Sequence, residues 1–283
     1  MSSGNSTMNR CTGLLIIEAI NSNPNGDPDR ESDPRWRNDE HGEISPVSLK
    51  RKVRDLIGEK EGPIWESIAS ELDLDAEHFH ILETRGRDRE AINTEIEDGT
   101  FTEKYWDARI FGNTFLESGE GGSVKTGVVQ FGLGLSVAPI EIERMTNTNK
   151  AGVEEGKDRG MAPMSYRIVQ HGVYAMPFFI NPTAAVKSGC TAKDIEVLKS
   201  VLPYAYLHTA SYSRPSVEMR HAWFVEHTSP LGSCSDFALL EALTPKKKAD
   251  PDQASKSWSD YEVPNTLPDD LKGRIGSIED LLP

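Results

Sequence analysis

Two acidic side chains, Asp27 and Asp29, lie in the polar stretch NSNPNGDPD at residues 21–29. Carboxylates at this spacing are possible ligands of Mg²⁺, and a metal held there would support the cleavage of RNA. Asp27, however, stands between Gly26 and Pro28, where a carboxylate commonly stabilises a turn. Both interpretations of Asp27 stay open, and the sequence favours the turn over a metal-dependent ribonuclease.

No other combination of residues points to catalysis. The seven histidines are scattered, without an HExxH pair or a recognisable Ser–His–Asp order. Cys11, Cys190 and Cys234 are odd in number and lack CxxC spacing, which indicates reduced structural thiols and not a zinc site. We therefore predict no catalytic residue, no metal site and no cofactor.

A basic helix follows the polar stretch. The segment ISPVSLKRKVRDLI at residues 44–57 offers Ser45 as the N-cap and Pro46 at the first helical position. At about 100° per residue, one face is apolar and the opposite flank carries cations. The apolar residues are Leu49, Val53, Leu56 and Ile57, and the cations are Lys50, Arg51 and Arg54. Such a flank suits the binding of a phosphate backbone. Lys52 lies on the other side, and we expect it to contribute less to this binding.

The composition is ordinary for a globular protein, but the net charge is strongly negative. The 283 residues suffice for one large domain with insertions, and no apolar run is long enough to span a membrane. The N-terminus lacks the apolar core of a signal peptide, so we expect a cytoplasmic protein without membrane contact. A net charge of −14 argues against nonspecific nucleic-acid binding and keeps open an acidic scaffold that binds only protein. Binding depends on local patches, however, so a basic groove can lie within an acidic surface.

The predicted elements around these residues follow a recognisable order. Strands are predicted at residues 14–20, 79–84, 126–140, 171–180 and 217–227. Helices are predicted at residues 46–57, 61–75 and 192–208, and Thr191 would cap the last of them. Without its insertions this order is β-α-β-β-α-β, which is the RRM or ferredoxin-like architecture.

Three further features lie between these elements. Gly132 and Gly134, within a predicted strand, would let another backbone approach the sheet closely. The polar segment at residues 141–167 has apolar residues mainly at its two ends, which favours a long β-hairpin. Arg109, in the aromatic segment YWDARIF, could bind a phosphate or pair with Asp107, and we favour the pair.

Several motifs occur in an order that is similar to a known family. NSNPNGDPD, SLKRKVRD, DARIFG at residues 107–112 and VVQFGLGLS at residues 128–136 resemble the guide-RNA-binding backbone subunit of type I CRISPR Cascade complexes, in its I-C and I-B versions. HGVY at residues 171–174 and the helix at residues 192–206 extend the likeness to residues 13–264. The NPNGDP loop followed by the basic helix is the specific part of it.

The resemblance implies an α+β fold. An RRM-like palm would carry a helical finger insertion near residues 58–105 and a β-hairpin thumb near residues 142–167. The palm with its insertions would cover residues 13–249, between a flexible N-terminus (1–12) and a C-terminal tail (250–283).

The resemblance also implies a non-catalytic subunit that polymerises along guide RNA and presents the spacer for pairing. The expected partners are CRISPR guide RNA, target DNA, further copies of the chain and other Cascade subunits. The RNA-binding residues are predicted to be Asn21, Asn23, Asn25, Lys50, Arg51, Arg54, Gly132, Gly134 and Arg214. The thumb residues Met145, Met161 and Met164 would contact bases or a neighbouring subunit. Related subunits of type III complexes cut target RNA with a loop aspartate, and Asp27 would take that role in the alternative.

Overall fold

The computed structural model describes residues 8–84, 88–113, 126–149 and 162–282. Its strands are β1 (Cys11–Ser22), β2 (Gly26–Asp27), β3 (Asp33–Pro34), β4 (His41–Ile44), β5 (Val129–Phe131), β6 (Gly134–Pro139), β7 (Ile142–Asn149), β8 (Ala162–Ile180), β9 (Val217–His227), β10 (Lys246–Lys247), β11 (Tyr261–Glu262) and β12 (Ile275–Asp280). Its helices are α1 (Pro46–Gly58), α2 (Pro63–Leu72), α3 (Arg89–Glu97), α4 (Phe101–Lys104), α5 (Trp106–Phe111), α6 (Ala185–Ser188), α7 (Ala192–Val201), α8 (Asp236–Leu243) and α9 (Asp269–Lys272).

One large antiparallel sheet organises the chain. Its strand order is β12-β9-β1-β8-β6-β4, and β5 and β7 pair with other parts of the long strand β8. The elements β1, α1, β6, β8, α7 and β9 follow one another as β-α-β-β-α-β, and their strands lie in the order β9-β1-β8-β6. Neighbouring strands of this core run antiparallel. This is the ferredoxin-like arrangement, so the predicted RRM-like core is confirmed.

Strand β1 is apolar along most of its length because both faces of the sheet are covered. Leu15 and Ile17 belong to the larger core, which includes residues of α1, α2, α5 and α7. Leu14 and Ile16 belong to a smaller core that includes residues of α8 and α9. Successive side chains of a strand face opposite sides, which accounts for this alternation. A strand buried on both faces reads in the sequence as an unbroken apolar run.

The two helices of the core begin where the sequence predicts. Ser45 is the N-cap of α1, its hydroxyl accepts the N–H of Ser48 at 3.2 Å, and Pro46 follows it. Thr191 is the N-cap of α7, and Asp194 completes a capping box with it. Within the described ranges, no helix is both long and apolar enough to cross a bilayer.

The predicted strand at residues 126–140 is divided in the structure. Strands β5 and β6 are separated by two residues, and the Gly132 N–H donates to the Pro177 carbonyl at 2.8 Å. Both strands still pair with β8. The glycines in this segment therefore mark a break in the strand, which apolar character alone does not reveal.

Two other predicted elements are shorter than expected. Residues 79–84 form a single bridge, between His80 and Tyr105, because their backbone pairs with the junction of α4 and α5 and not with the sheet. The helix predicted to reach residue 208 ends as an α-helix at Val201, and short 3₁₀ turns continue it. Pro203 lies in the first of these turns and lacks the N–H that a continuing helix needs.

The sheet includes residues of both the predicted flexible N-terminus (1–12) and the predicted C-terminal tail (250–283). Cys11 and Thr12 belong to β1, whereas residues 1–7 lie outside the described residues. Near the other end, β12 pairs antiparallel with β9. The Asp280 carboxylate accepts the N–H of Ala222 at 2.9 Å and lies 2.7 Å from His221 Nδ1. This edge strand escapes sequence reasoning because its alternation of apolar and polar residues is short.

The first part of β8 forms the predicted hairpin with β7. The two arms pair over residues 142–149 and 162–169. Met145 lies in β7, Met164 lies in β8 with only its backbone described, and Met161 lies outside the described residues together with the tip. The assignment of thumb and fingers to these segments stays a prediction.

Gly13 leaves room for the ring of Phe178, its neighbour across the sheet. A β-carbon on Gly13 would lie 2.0 Å from Phe178 Cζ. The ring is fully buried between two further phenylalanine rings, so it has little space to move. We predict that Gly13→Ala lowers the free energy of unfolding by about 1–3 kcal/mol, measured by urea denaturation.

Gly58→Ala is the matched control, because a β-carbon there would meet Ile81 Cγ1 at an ordinary 3.5 Å. Its free energy of unfolding should be unchanged or higher. Equal denaturation midpoints for Gly13→Ala and the unsubstituted protein would contradict the tight packing at Gly13.

Candidate nucleic-acid interface

Asn25 ties the polar loop to the start of the basic helix. Its side-chain oxygen accepts the N–H of Ser45, the N-cap of α1, at 2.6 Å. Its side-chain amide donates to the Gly26 carbonyl at 3.0 Å, and its own carbonyl accepts the N–H of Arg35 at 2.9 Å. Asn25 is buried. The polar loop and α1 are therefore held together by hydrogen bonds.

Asn21 and Asn23 occupy different environments. Asn21 is exposed and adopts a left-handed backbone conformation, with φ at 45°, which asparagine tolerates better than most residues. Asn23 is buried, and its side-chain amide donates to the Ser32 carbonyl at 2.7 Å. Its backbone N–H donates to the Ser213 carbonyl, also at 2.7 Å. Asn23 and Asn25 thus hold the loop in shape, and the contact of all three asparagines with RNA stays a prediction.

Asp27 stabilises a turn within the same loop. Its carboxylate accepts the N–H of Asp29 at 3.2 Å and caps a 3₁₀ turn. The same carboxylate lies 3.8 Å from the guanidinium of Arg35 and 3.9 Å from that of Arg30. Among the residues that the structure describes, no group of three or more His, Cys, Asp or Glu is placed to hold a metal ion. The turn role is observed, and a metal-dependent role for Asp27 stays an alternative.

Lys50 and Arg51 lie on the outer side of α1. The Lys50 ammonium lies 5.1 Å from the centre of the Phe111 ring, and it forms no ion pair with a carboxylate of the described residues. Burial lowers the pKa of Lys50, and the charge of Arg54 lowers it further. Arg51 is exposed and pairs with Asp55 at 2.7 Å. Exposed pairs of this kind are weak, so Arg51 can exchange its partner for a phosphate.

Arg54 has a buried partner. Its Nε donates to Asp107 at 2.8 Å, and its guanidinium lies 5.2 Å from the centre of the Phe111 ring. Asp107 is fully buried and also accepts the backbone N–H groups of Leu82 and Glu83. The Arg54 side chain is only 12% exposed. Arg54 therefore holds α1 in place, in addition to any contact it makes with RNA.

The predicted pair between Asp107 and Arg109 is wrong. Arg109 instead binds Asp194 of α7, with Nη2 at 2.7 Å from Oδ1, and it donates to three backbone carbonyls. Arg109 and Asp194 are both buried. Two residues that are two positions apart in a helix do not face each other, so Asp107 and Arg109 point to different neighbours. Helix α5 is thus attached to α1 through Asp107 and to α7 through Arg109.

Lys52, which was expected to contribute less to RNA binding than the other cations of α1, is buried. Its ammonium donates to the Thr209 hydroxyl at 3.0 Å and lies 5.1 Å from the centre of the Tyr206 ring. Burial and then the charge of Arg214 lower the pKa of Lys52 to about 8. The buried Nε of Arg214 has no hydrogen-bond partner within the described ranges. The sequence itself contains an indication of this burial. Lys52 follows the buried Leu49 by three positions, and a lysine on an apolar helix face is unusual.

Gly132 and Gly134 face neighbours within the chain. A β-carbon on Gly132 would lie 2.9 Å from Pro177 Cγ, and one on Gly134 would lie 3.0 Å from Met176 Cε. Packing inside the protein therefore accounts for both glycines. The approach of an RNA backbone to them stays a prediction.

Comparison with known proteins identifies the family. The family model described as CRISPR-associated protein Cas7 matches residues 9–266. The chain belongs to the Cas7 family. The match includes β1, the polar loop, α1 and α7 of this Cas7-family chain, and it ends before β12. No curated protein sequence matches the chain.

Solved structures of CRISPR complexes contain chains that are similar to this Cas7-family protein. A chain of the "CRISPR RNA-guided surveillance complex, pre-nicking" is 15% identical, with a TM-score of 0.47, over 76% of this chain and 75% of that one. A chain of another CRISPR RNA-guided surveillance complex is 14% identical, with a TM-score of 0.39, over 82% and 75% of the two chains. A chain of the type III-B Cmr-beta bound to cognate target RNA is 11% identical, with a TM-score of 0.43, over 77% and 61%.

The cations of α1 in this Cas7-family protein should differ in their effect on stability. We predict that Arg54→Met lowers the free energy of unfolding by about 3–5 kcal/mol, because the charge of Asp107 then stays buried without its partner. Arg51→Met should lower it by less than about 1 kcal/mol, because Arg51 is exposed. Urea denaturation followed by tryptophan fluorescence measures both changes.

The double variant Arg54→Met, Asp107→Asn should recover part of the loss, because it removes the unpaired charge. Equal losses for Arg54→Met and Arg51→Met would show that the pair between Arg54 and Asp107 does not stabilise the fold.

Proposed function

We propose that this Cas7-family protein is a non-catalytic backbone subunit of a type I Cascade complex. In this proposal several copies assemble along one CRISPR guide RNA and keep its spacer available for pairing with target DNA. Other Cascade subunits are its further partners, and the cytoplasm is its location. The observation that carries the proposal is the family match over residues 9–266, which spans the polar loop and the basic helix.

The local distribution of charge supports contact with phosphates, although the net charge is −14. Lys50 and Lys52 form no ion pair with a described carboxylate and lie over aromatic rings. An aromatic face attracts a cation without cancelling its charge. The half-buried Lys50 therefore keeps a charge that a phosphate backbone can reach, whatever the charge of the rest of the surface, whereas Lys52 is buried.

The proposed contacts are of three kinds. The cations Lys50, Arg51, Arg54 and Arg214 would bind phosphates. The loop residues Asn21, Asn23 and Asn25 would contact sugar or phosphate, and Gly132 and Gly134 would allow close approach of the strand. The thumb residues Met145, Met161 and Met164 would contact bases or the next copy of the chain. Contacts to sugar and phosphate position a strand and carry little sequence information, which leaves the bases free to pair.

The first test compares guide RNAs of equal length whose spacer sequences are shuffled. We predict similar affinities for all of them, because the proposed contacts do not read bases. The logarithm of the association constant should fall linearly with the logarithm of salt concentration, with a slope of about −0.7 for each phosphate neutralised. Filter binding across a salt series measures both quantities.

A strong preference for one spacer, or an affinity that salt does not change, would contradict the proposal. A purified assembly whose absorbance shows no nucleic acid would instead favour an acidic scaffold that binds only protein.

A metal-dependent ribonuclease is the second candidate function, because Asp27 and Asp29 lie two positions apart in the polar loop. We predict that the guide-bound protein leaves complementary RNA intact, since the Asp27 carboxylate is engaged by a backbone N–H and lies near two guanidinium groups. Gel analysis of labelled target RNA, with Mg²⁺ and with EDTA, measures this.

Asp27→Ala is compared with Asp39→Ala, which removes another loop carboxylate near an arginine. The ribonuclease would be established instead if target RNA is lost only when a divalent ion is present, and if Asp27→Ala abolishes this loss while Asp39→Ala does not.

A further inference from the structure

Lys52, Tyr206 and Arg214 meet where α1 packs against the segment at residues 204–214. Lys52 and Tyr206 are 5% and 3% exposed, and the Lys52 ammonium lies 5.1 Å from the centre of the Tyr206 ring. The charge of Arg214 acts on both of them. Burial raises the pKa of Tyr206, and Arg214 opposes that change. The same charge adds to the effect of burial in lowering the pKa of Lys52.

Two of these side chains have a buried polar atom without a partner. The Tyr206 hydroxyl and the Arg214 Nε are buried, and neither is hydrogen-bonded to any residue that the structure describes. The Lys52 ammonium uses one of its three N–H bonds, on the Thr209 hydroxyl. That hydroxyl donates in turn to the Ala205 carbonyl, at 2.6 Å. Buried donors in native proteins nearly always have an acceptor, so this group requires one.

The charges around the three donors are predominantly positive. The carboxylate that acts on Lys52 is that of Asp55, and it is already paired with Arg51 at 2.7 Å. A single water molecule can satisfy a donor but cannot balance two cations. An anion with several oxygen atoms would satisfy the free donors and offset both positive charges.

Arg214 is held in place by the polar loop. The backbone N–H of Arg214 donates to the Ser211 carbonyl at 2.9 Å, which closes a tight turn. The segment that contains this turn is bonded to the end of β1, because the Asn23 N–H donates to the Ser213 carbonyl and the Ser216 N–H donates to the Ser22 hydroxyl. The three donors thus adjoin the polar loop, whose contact with RNA is part of the proposed function.

We propose that Lys52, Tyr206 and Arg214 together bind one phosphate group of single-stranded RNA. This site lies on a different side of α1 from Lys50 and Arg51. The proposal rests on the function proposed above, because RNA is the source of the phosphate. A phosphodiester group carries one negative charge and offers only acceptors, which complements a set of donors that carries positive charge.

The experiment measures the affinity of the full-length protein for one single-stranded RNA of fixed sequence. Lys52→Met should weaken binding about tenfold or more, because it removes a charge-assisted hydrogen bond. It should also reduce the slope of the salt dependence by about 0.7, the value for one phosphate. Tyr206→Phe, which keeps the ring and its packing, should weaken binding about two- to tenfold.

Two variants outside the site are matched controls. Lys60 also lies over an aromatic ring, 3.1 Å from the centre of Trp65, and burial lowers its pKa to about 8 as well. Tyr261 is a buried tyrosine of the smaller core. Lys60→Met and Tyr261→Phe should bind the RNA as the unsubstituted protein does.

The pH dependence of binding gives an independent readout. The groups that face the Lys52 ammonium are Tyr206, Thr209, Arg214 and Asp55. Binding requires protonated Lys52. In the free protein the pKa of Lys52 is about 8, so the protonated fraction of this side chain falls as the pH rises through that value. The affinity should therefore fall about tenfold between pH 7 and pH 9, and this fall should be absent from Lys52→Met and retained by Lys60→Met.

The possible outcomes separate this site from the proposed function. If the unsubstituted protein binds RNA, and Lys52→Met and Tyr206→Phe match their controls in affinity and salt slope, the site is refuted while the function stands. If the unsubstituted protein binds no RNA, both fail. If inorganic phosphate raises the melting temperature of the unsubstituted protein but not of Lys52→Met, while RNA affinity is equal in the two, the site binds free phosphate and the assignment to RNA is wrong. Should Lys52→Met fail to fold, Tyr206→Phe alone decides.

Discussion

The buried ion pair between Arg54 and Asp107 is the contact on which the proposed interface depends. It joins α1, which carries the cations, to α5, and Asp107 also fixes the backbone at residues 82 and 83. A buried carboxylate is tolerated only when its charge and its lone pairs are satisfied, and here they are. The position of α1, and of every cation on it, is therefore set from inside the protein.

A second buried pair, Arg109 with Asp194, attaches the same short helix to α7. Asp194 also completes the capping box of α7, so one carboxylate starts a helix and anchors its neighbour. Helix α5 is thus joined to both α1 and α7 through polar contacts with fixed geometry. Such contacts determine orientation more strictly than apolar packing does, because hydrogen bonds weaken steeply when they are misaligned.

In this part of the molecule, aromatic rings lie against the side chains of cations. Phe111 lies beneath Lys50, and Tyr206 lies beneath Lys52. A ring face restrains a cationic side chain and leaves its charge uncancelled, whereas a carboxylate would restrain it and neutralise it. An acidic protein that holds the half-buried Lys50 over a ring can therefore keep a positive charge at this part of its surface without a positive net charge.

The sequence predicts the framework well because local rules determine it. Caps at Ser45 and Thr191, the apolar run of β1 and the alternation in β9 each depend on neighbouring residues alone. The partners of Asp107 and Arg109 could not be predicted, because each lies far away in the sequence and on a different side of α5.

The candidate site is predictable only in part. The polar loop and the cations of α1 are visible as motifs, but the burial of Asn23 and Asn25 depends on where the chain returns at residues 32–45 and 213. The burial of Lys52 could not be predicted from a regular helical wheel, because such a wheel separates cations from the apolar face, and this lysine lies among the apolar residues. Its meeting with Arg214 depends on contacts between segments more than 150 positions apart.

The position of β12 has a practical consequence for recombinant work. The family match ends at residue 266, yet the outermost strand of the sheet lies beyond that point. A fragment trimmed to the matched residues 9–266 would leave the backbone of β9 uncovered, with its N–H and C=O groups free to pair with another molecule. Self-association of such a fragment would come from an exposed sheet edge and would imitate the oligomerisation of an assembling subunit. Size measurements on this protein therefore need the chain to extend through Asp280 and the following leucines, which pack against the larger core.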